Sequence, residues 1–220
     1  MLNVDEQRIF HVTHVSNLAD ILASGSLLAD AHSDLDPRPA LDASSPDTRE
    51  ARRSATVAGA PEDATVADFV PFFLAPAASI WQGVITGDED PRISAAARAA
   101  ASADYVILVS TISKVSAAEA TVVISDGDAA DSRTRFGVAR DDLERTLRRL
   151  HVDAEPSPLL TAELLVHESV PLERITLVGV ANDRARDVVR GILAASTFTP
   201  KVAVYPPWFR KVEDAPQPEA

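Results

Sequence analysis

Ile9-Phe10-His11-Val12-Thr13-His14-Val15 alternates bulky apolar with polar side chains, the period-two pattern of a half-buried strand. Ser16 follows where a helix N-cap belongs, Leu18, Ile21 and Leu22 mark one helical face, and Gly25 stands where a glycine closes a helix. The chain is thus expected to run from a strand straight into a short helix. Downstream, residues 30–65 form a long polar passage with four prolines (Pro37, Pro39, Pro46, Pro61), within which Thr48 to Ser54 has room for about two helical turns. A stretch of that length without regular structure reads as a functional loop or as disorder.

Further along, Phe69-Val70-Pro71-Phe72-Phe73-Leu74 reads as an apolar strand whose proline predicts an edge or a bulge. Residues 77–86 and the alanine-rich 92–101 read as helices. The second half is richer in strands, expected at Tyr105–Thr111, Thr121–Ser125, Glu163–His167, Arg174–Val180 and Val202–Tyr205. Asn182 caps a helix expected from Asp183 to Ala195. Strands and helices do not alternate regularly, which predicts an α+β fold over a doubly wound parallel sheet.

The composition agrees with one globular domain. Of 220 residues, 46% are hydrophobic and 25% charged, which excludes wholesale disorder. We expect a single domain over 1–212 and a disordered acidic tail over 213–220, where Pro216 and Pro218 lie among Glu213, Asp214 and Glu219. No run is long and apolar enough for a bilayer crossing, and MLNVDEQRIF has neither a basic n-region nor an apolar h-region. These features predict a cytoplasmic protein without a membrane partner. The absence of cysteine excludes disulfides, thiolate metal sites and thiol nucleophiles. A net charge of −12 argues against a broad basic nucleic-acid surface, because polyanion binding depends on phosphate neutralisation.

Several constellations carry possible chemistry. His11 and His14 form an H-x-x-H, but an odd spacing on a strand points the two rings to opposite faces, so no shared metal is expected. Asp126-Gly127-Asp128 with Asp131 begins like a calcium loop and then departs from it, with Asp131 where glycine belongs and Gly137 where glutamate belongs; a polar turn is the plainer reading. There is no P-loop, no G-x-S-x-G and no G-x-G-x-x-G. Arg52-Arg53 reads in isolation as a solvated pair. Glu163, an acid heading a core strand after a proline-containing loop, is placed as a cleft residue would be. Arg133, Arg135, Arg140, Arg145, Arg148 and Arg149 make a locally basic stretch, yet Asp141, Asp142 and Glu144 interleave it, and a solvated amphipathic helix explains it equally well.

Taken in order, these pieces resemble the DarT-type DNA ADP-ribosyltransferases, toxin enzymes neutralised by a macrodomain antitoxin, DarG. The opening Ile9 to Leu18 with Ile21, Leu22 and Gly25 is similar to the family's start, and Arg52-Arg53 follows at a compatible distance. Asp68-Phe69-Val70-Pro71-Phe72-Phe73 resembles D-Y-V-P-F-Y-F. Ser125-Asp126-Gly127-Asp128-Ala129 resembles T-D-G-N/H-A, Ala162-Glu163-Leu164-Leu165-Val166-His167 resembles A-E-F-L-V-H, and Val202–Trp208 is similar to the closing strand.

The resemblance spans about residues 9 to 209 and implies an ADP-ribosyltransferase-like split, mostly antiparallel sheet whose cleft takes NAD as co-substrate, with no metal. It implies Glu163 and Arg53 as catalytic residues, and His11, Thr13, Asn17, Leu18, Phe73 and Arg53 as the NAD-binding set. Arg53 would anchor the pyrophosphate or assist deprotonation of the base, and anchoring suits a guanidinium that stays charged. The implied acceptor is a nucleobase in single-stranded DNA, reached through the 30–52 and 150–162 loops, and the implied partner is a DarG-like macrodomain antitoxin. Two features depart from the family: Phe73 lacks a phenol, and Ala77 in Pro76-Ala77-Ala78-Ser79-Ile80-Trp81 stands where an arginine is common. Other readings of the same residues are an inert relative that binds nucleotide or protein, transfer to RNA or protein, and an NAD-using RNA 2′-phosphotransferase.

Overall fold

The computed structural model describes residues 3–36, 38–60, 63–116, 120–151 and 157–212. The acidic tail, Pro37, Pro61 and the middle of the 150–162 loop therefore lie outside the described residues. In chain order the first half comprises β1 (Arg8–His14), α1 (Leu18–Ser24), β2 (Ser26–Leu28), α2 (Pro46–Ser54), β3 (Phe69–Phe73), α3 (Ser79–Thr86), α4 (Ala95–Ala99) and β4 (Tyr105–Thr111). The second half adds α5 (Ile112–Val115), β5 (Val122–Ser125), β6 (Phe136–Gly137), α6 (Arg140–Leu150), β7 (Glu163–His167), β8 (Ser169–Pro171), β9 (Leu177–Val180), α7 (Asp183–Leu193) and β10 (Lys201–Val204).

Eight strands form one sheet in the order β10-β9-β4-β1-β3-β7-β5-β6, and β2 pairs with β8 separately. Every neighbouring pair is antiparallel except β9 and β10, which are parallel and joined by α7, as a crossover connection requires. Both faces of the sheet are covered, which explains why β4 reads as an unbroken apolar run rather than an alternating one. On one face Ile9, Phe72, Leu108 and Leu164 pack with Leu143, Leu147 and Leu150 of α6. On the other, Phe10, Tyr105 and Ile107 pack with Trp81 of α3 and Phe209.

The sheet splits at its centre. β1 is laddered to β4 over seven positions, from Arg8↔Thr111 to His14↔Tyr105. β3 is laddered to β7 over five, from Phe69↔His167 to Phe73↔Glu163. Between β1 and β3 the only paired position is Phe10↔Phe73. The split, mostly antiparallel sheet implied by the sequence is thus observed.

Pro71 corrects one expectation and explains the split. Its strand is central, not an edge. A strand residue points its nitrogen and its carbonyl to the same side, and the Pro71 carbonyl accepts from the ring of His11 on β1. The missing N–H therefore falls in the gap between β1 and β3, where no ladder partner waits for it.

Local signals set the ends of the elements that carry the site. Gly25 closes α1 at φ 72°, a left-handed conformation that glycine adopts without Cβ strain. The Ser45 side chain accepts from the Thr48 N–H and Pro46 opens the first turn of α2, so this helix starts two residues earlier than its composition suggested. Asn182 caps α7 as expected, accepting from the Ala185 N–H. Two expectations were too long. The 92–101 helix is reduced to Ala95–Ala99, and the 174–180 strand begins at Leu177 because Leu172–Arg174 form a 3₁₀ turn. The 30–65 passage holds α2 and is otherwise fastened by ion pairs rather than by regular structure.

Candidate active site

The gap between β1 and β3 opens into a cleft of about 590 Å³, whose lining includes His11, Thr13, Asn17, Phe73, Arg49 and Arg52. β1 supplies one wall. The Nδ1 atom of His11 lies 2.9 Å from the Pro71 carbonyl oxygen. A carbonyl can only accept, so Nδ1 carries the proton and Nε2 is left as an acceptor in the neutral ring. Desolvation by the surrounding walls lowers the pKa of this half-buried imidazole, against a smaller opposing effect of the Pro71 bond. His11 is thus a neutral hydrogen-bonding group over the physiological range.

Asn17 fastens the start of the long loop to the same wall. Its Nδ2 donates to Thr13 Oγ1 at 3.1 Å and to the Leu41 carbonyl at 2.8 Å, while its Oδ1 accepts from the Leu41 N–H at 3.1 Å. One amide side chain thereby satisfies both main-chain groups of Leu41, as a strand partner would. Leu18, expected with these residues, packs into the core beneath the cleft and does not line it. His14 also lines the cleft, with Nδ1 2.8 Å from Ser16 Oγ and its ring edge-on to Tyr105.

Glu163 begins β7 directly across from Phe73, at the point where the sheet splits. It is 5% exposed, and its carboxylate meets four donor contacts. Arg52 Nη1 lies 3.2 Å from Oε1 and 3.0 Å from Oε2, and Nη2 lies 3.1 Å from Oε2. The fourth contact comes from the Ala129 N–H, 3.0 Å from Oε1. The Ser125-Asp126-Gly127-Asp128-Ala129 turn is therefore a cradle for the carboxylate. Its Ser125 Oγ also accepts from the Glu163 N–H at 2.9 Å and donates to the Gly127 carbonyl at 2.7 Å. A buried carboxylate held this way is fixed in direction.

The arginine that meets Glu163 is Arg52, not Arg53. Consecutive helix residues diverge by about 100°, and α2 places the two guanidiniums on different partners. Arg53 Nη2 lies 2.7 Å from Asp30 Oδ2, and its side chain is 37% exposed. Arg49, one turn earlier, shares Asp30 at 2.9 Å and reaches Asp42 at 3.2 Å. Arg38 also pairs with Asp30. Asp30 lines the cleft and gathers three arginines, of which Arg49 is itself in the lining, while Asp34, Asp36 and Asp42 of the same passage also face the cleft. These guanidiniums lie beside the cleft although Ala77 supplies no cation. Arg49, Asp30 and the Ala129 N–H were not singled out by sequence reading, and Arg52 was named only as the neighbour of Arg53. The signal available was the three-residue spacing of Arg49 and Arg52, which lets both reach the same cleft.

The residues present fit NAD. The cleft has the size of a small-molecule site, with an aromatic face at Phe73, a neutral acceptor at His11 and guanidiniums at Arg49 and Arg52; the Glu163 carboxylate is not itself in the lining but lies directly behind Arg52. Among the described residues, no group of three His, Asp or Glu side chains is placed to hold a metal ion, and no helix is long and apolar enough to cross a membrane.

Comparison with known proteins identifies the family. The family model described as "ssDNA thymidine ADP-ribosyltransferase, DarT" matches residues 10–210. A DNA ADP-ribosyl transferase of Mycobacterium tuberculosis is 27% identical over 199 residues, covering 84% of this chain and 81% of the relative. Thermus sp. 2.9 DarT, solved with ADP-ribosylated ssDNA, superposes with a TM-score of 0.76 at 23% identity, covering 93% of this chain and 96% of that one. The same enzyme solved with NAD+ gives a TM-score of 0.71 at 23% identity, covering 93% and 98%. Thermosipho africanus DarTG, solved with ADP-ribose, gives 0.67 at 16% identity, covering 92% of this chain and 51% of that one. With a split sheet, a carboxylate at its fork and a family match over nearly its whole length, this chain belongs to the DarT family of ssDNA thymidine ADP-ribosyltransferases.

Proposed function

We propose that this protein transfers ADP-ribose from NAD to a thymine base of single-stranded DNA, with Glu163 as the catalytic carboxylate and Arg52 as its partner. The observation that carries this reading is the convergence of His11, Phe73 and Arg52 on one cleft with the buried Glu163 at the sheet fork. NAD supplies an activated ribose whose bond to nicotinamide breaks with build-up of positive charge on the sugar. Glu163 stabilises that charge from a fixed position and needs no reorganisation to do so. His11, neutral and protonated at Nδ1, offers Nε2 to a ribose hydroxyl and orients the sugar. Phe73 offers a ring face for stacking the nicotinamide, and its lack of a phenol removes any hydroxyl role. Arg49 pairs with the pyrophosphate.

Neutral nicotinamide leaves with the electron pair of the broken bond, and the acceptor base gives up a ring N–H proton to water as its nitrogen bonds to the sugar carbon. The Arg52 guanidinium, charged at all working pH values, stabilises the base anion that results. Arg53, expected from sequence as the catalytic arginine, serves in this reading to anchor Asp30 and with it the loop wall. A base must leave the duplex stack to be reached, which favours a single strand. The half-exposed Arg38 and Arg53 contact its phosphates. We further propose action in the cytoplasm and reversal or restraint by a DarG-like macrodomain partner.

Labelled NAD incubated with oligonucleotides of defined base composition tests this. Label is expected on thymine-containing single strands and to be absent from thymine-free strands, duplexes, RNA and the protein itself. Label on RNA or protein alone would replace the acceptor, and loss of no NAD with any acceptor would replace the activity by simple binding.

A further inference from the structure

Glu163 is held by two structures that are distant from it in sequence. The helix α2 brings Arg52, and the 125–129 turn brings the Ala129 N–H. Neither is part of β7, so something must fix their separation. Arg92 touches both. Its main-chain carbonyl accepts from the N–H of Ser45, the N-cap of α2, at 2.9 Å. Its Nη1 donates to Asp128 Oδ2 at 3.0 Å, one residue before Ala129. Its remaining donors are committed to Asp90, with Nη2 2.6 Å from Oδ2 and Nε 3.0 Å from Oδ1, so the guanidinium is locked on three sides. The Asp128 carboxylate is pinned in turn, because Oδ1 accepts from the Ala130 N–H at 3.0 Å. A bridge between Ser44 and Ile93 and a bond from the Ser94 N–H to the Ala43 carbonyl at 2.9 Å extend the attachment of the helix start.

We propose that Arg92 is a positioning residue for the transfer reaction, tying the helix that carries Arg52 to the turn that carries the Ala129 N–H so that both meet Glu163 in register. This rests on Glu163 being the catalytic carboxylate. Arg92 itself has no contact with Glu163; it acts through Ser45 and Asp128. If the clamp is released, the turn drifts by fractions of an ångström, the carboxylate loses one fixed donor, and its aim at the sugar loosens. A small misplacement of that kind lowers turnover while NAD, held by the β1 wall, still binds.

The test measures kcat and KM for NAD on an acceptor oligonucleotide for Arg92→Ala, Asp128→Ala, the double variant and Arg92→Lys. Arg92→Ala and Asp128→Ala are each expected to lose roughly 10- to 100-fold in kcat with KM within about twofold. The double variant should be no slower than the slower single, because both remove one link. Arg92→Lys keeps the carbonyl contact and a single charge on Asp128, and is expected to recover part of the loss. Asp128→Asn, which keeps shape and the Ala130 contact, covers the case in which Arg92→Ala does not fold. Unchanged kcat in folded Asp128→Asn and Arg92→Lys, additive losses, or a change confined to KM would each overturn the proposal. Glu163→Gln separates the two levels. If that variant stays active, the catalytic reading itself falls; if it is inactive while Arg92→Ala turns over normally, only the clamp falls.

Discussion

Helix α2 carries Arg49, Arg52 and Arg53 within nine residues, and α6 carries Arg140, Arg145, Arg148 and Arg149 within eleven. In α6 the partners are mostly the helix's own acids: Arg140 and Arg148 share Glu144 at i,i+4 and Arg145 takes Asp142 at i,i+3. Those arginine side chains are between 46% and 74% exposed, and Leu143, Leu147 and Leu150 on the opposite face do the packing. Helix α2 buries none of its residues in the core, and its arginines reach acids on other segments, Asp30, Asp42 and Glu163. The difference shows where a charged helix gets its meaning. Arginines answered within their own helix make a solvated face, whereas arginines answered from a loop and a buried strand build a site.

Four experiments press on this contrast. The largest effect is expected within α2 itself. Arg52→Ala should lower the transfer rate by roughly 10²- to 10³-fold and, by leaving a buried carboxylate without its charge partner, destabilise the fold by about 3 kcal/mol. Arg53→Ala, which loses a half-exposed pair, should cost no more than about fivefold in rate. Steady-state kinetics on both variants decide it, and the reverse ranking would return the catalytic role to Arg53.

Asp30→Ala should follow in size. It removes the common acid of Arg38, Arg49 and Arg53 and is expected to destabilise by about 1 kcal/mol, with KM for NAD rising as the loop wall loosens. Chemical denaturation and kinetics together check this; an unchanged KM would show that Asp30 does not hold the loop wall.

The third experiment concerns pH. His11 has a pKa lowered by burial from its ordinary 6.5, so below that value the unfolded chain binds a proton the folded chain refuses. Stability is therefore expected to be full above about pH 6.5 and to fall as pH drops beneath it. His11→Gln should flatten that slope in denaturation curves taken between pH 5 and pH 7, leaving the part due to His14, which is shifted the same way by desolvation. A slope unaffected by the substitution would mean that His11 is not held neutral.

The smallest effect is expected in α6. Arg145→Ala or Arg148→Ala should change stability by about 0.5 kcal/mol or less and leave transfer and its salt dependence unaltered. A flatter salt dependence of DNA modification would make α6 a nucleic-acid track after all.

How much of this was legible in sequence depends on the distance over which each feature is decided. β4, β7 and the cap of α7 follow from patterns within a few residues and lie where they were expected. So does the strand-to-helix opening, except that His14 rather than Ser16 caps it and Val15–Asn17 form a 3₁₀ turn between the two elements. The three-residue strands β2 and β8 are too short to carry a period, and only their pairing, Leu27↔Val170, defines them. The position of Glu163 could be read from its strand, but its donors could not. Arg52 lies 111 residues away and Ala129 lies 34 away. Choosing between Arg52 and Arg53 needs the rotation of α2, which adjacency in sequence does not contain. The net charge of −12 likewise says nothing of pairing, since Asp30 and Asp42 are both engaged by Arg49, which lines the cleft.

The carbonyl of Pro71, released from ladder duty by the fork in the sheet, settles which nitrogen of His11 bears the proton. The protonation pattern of the cleft is therefore written in main-chain geometry rather than in a neighbouring side chain. Side-chain drift around His11 leaves its tautomer unchanged, while any insertion or deletion that shifts β3 by one residue turns that carbonyl away. An inhibitor that donates a hydrogen bond to Nε2 would engage a feature that point substitutions around it have little means to erase.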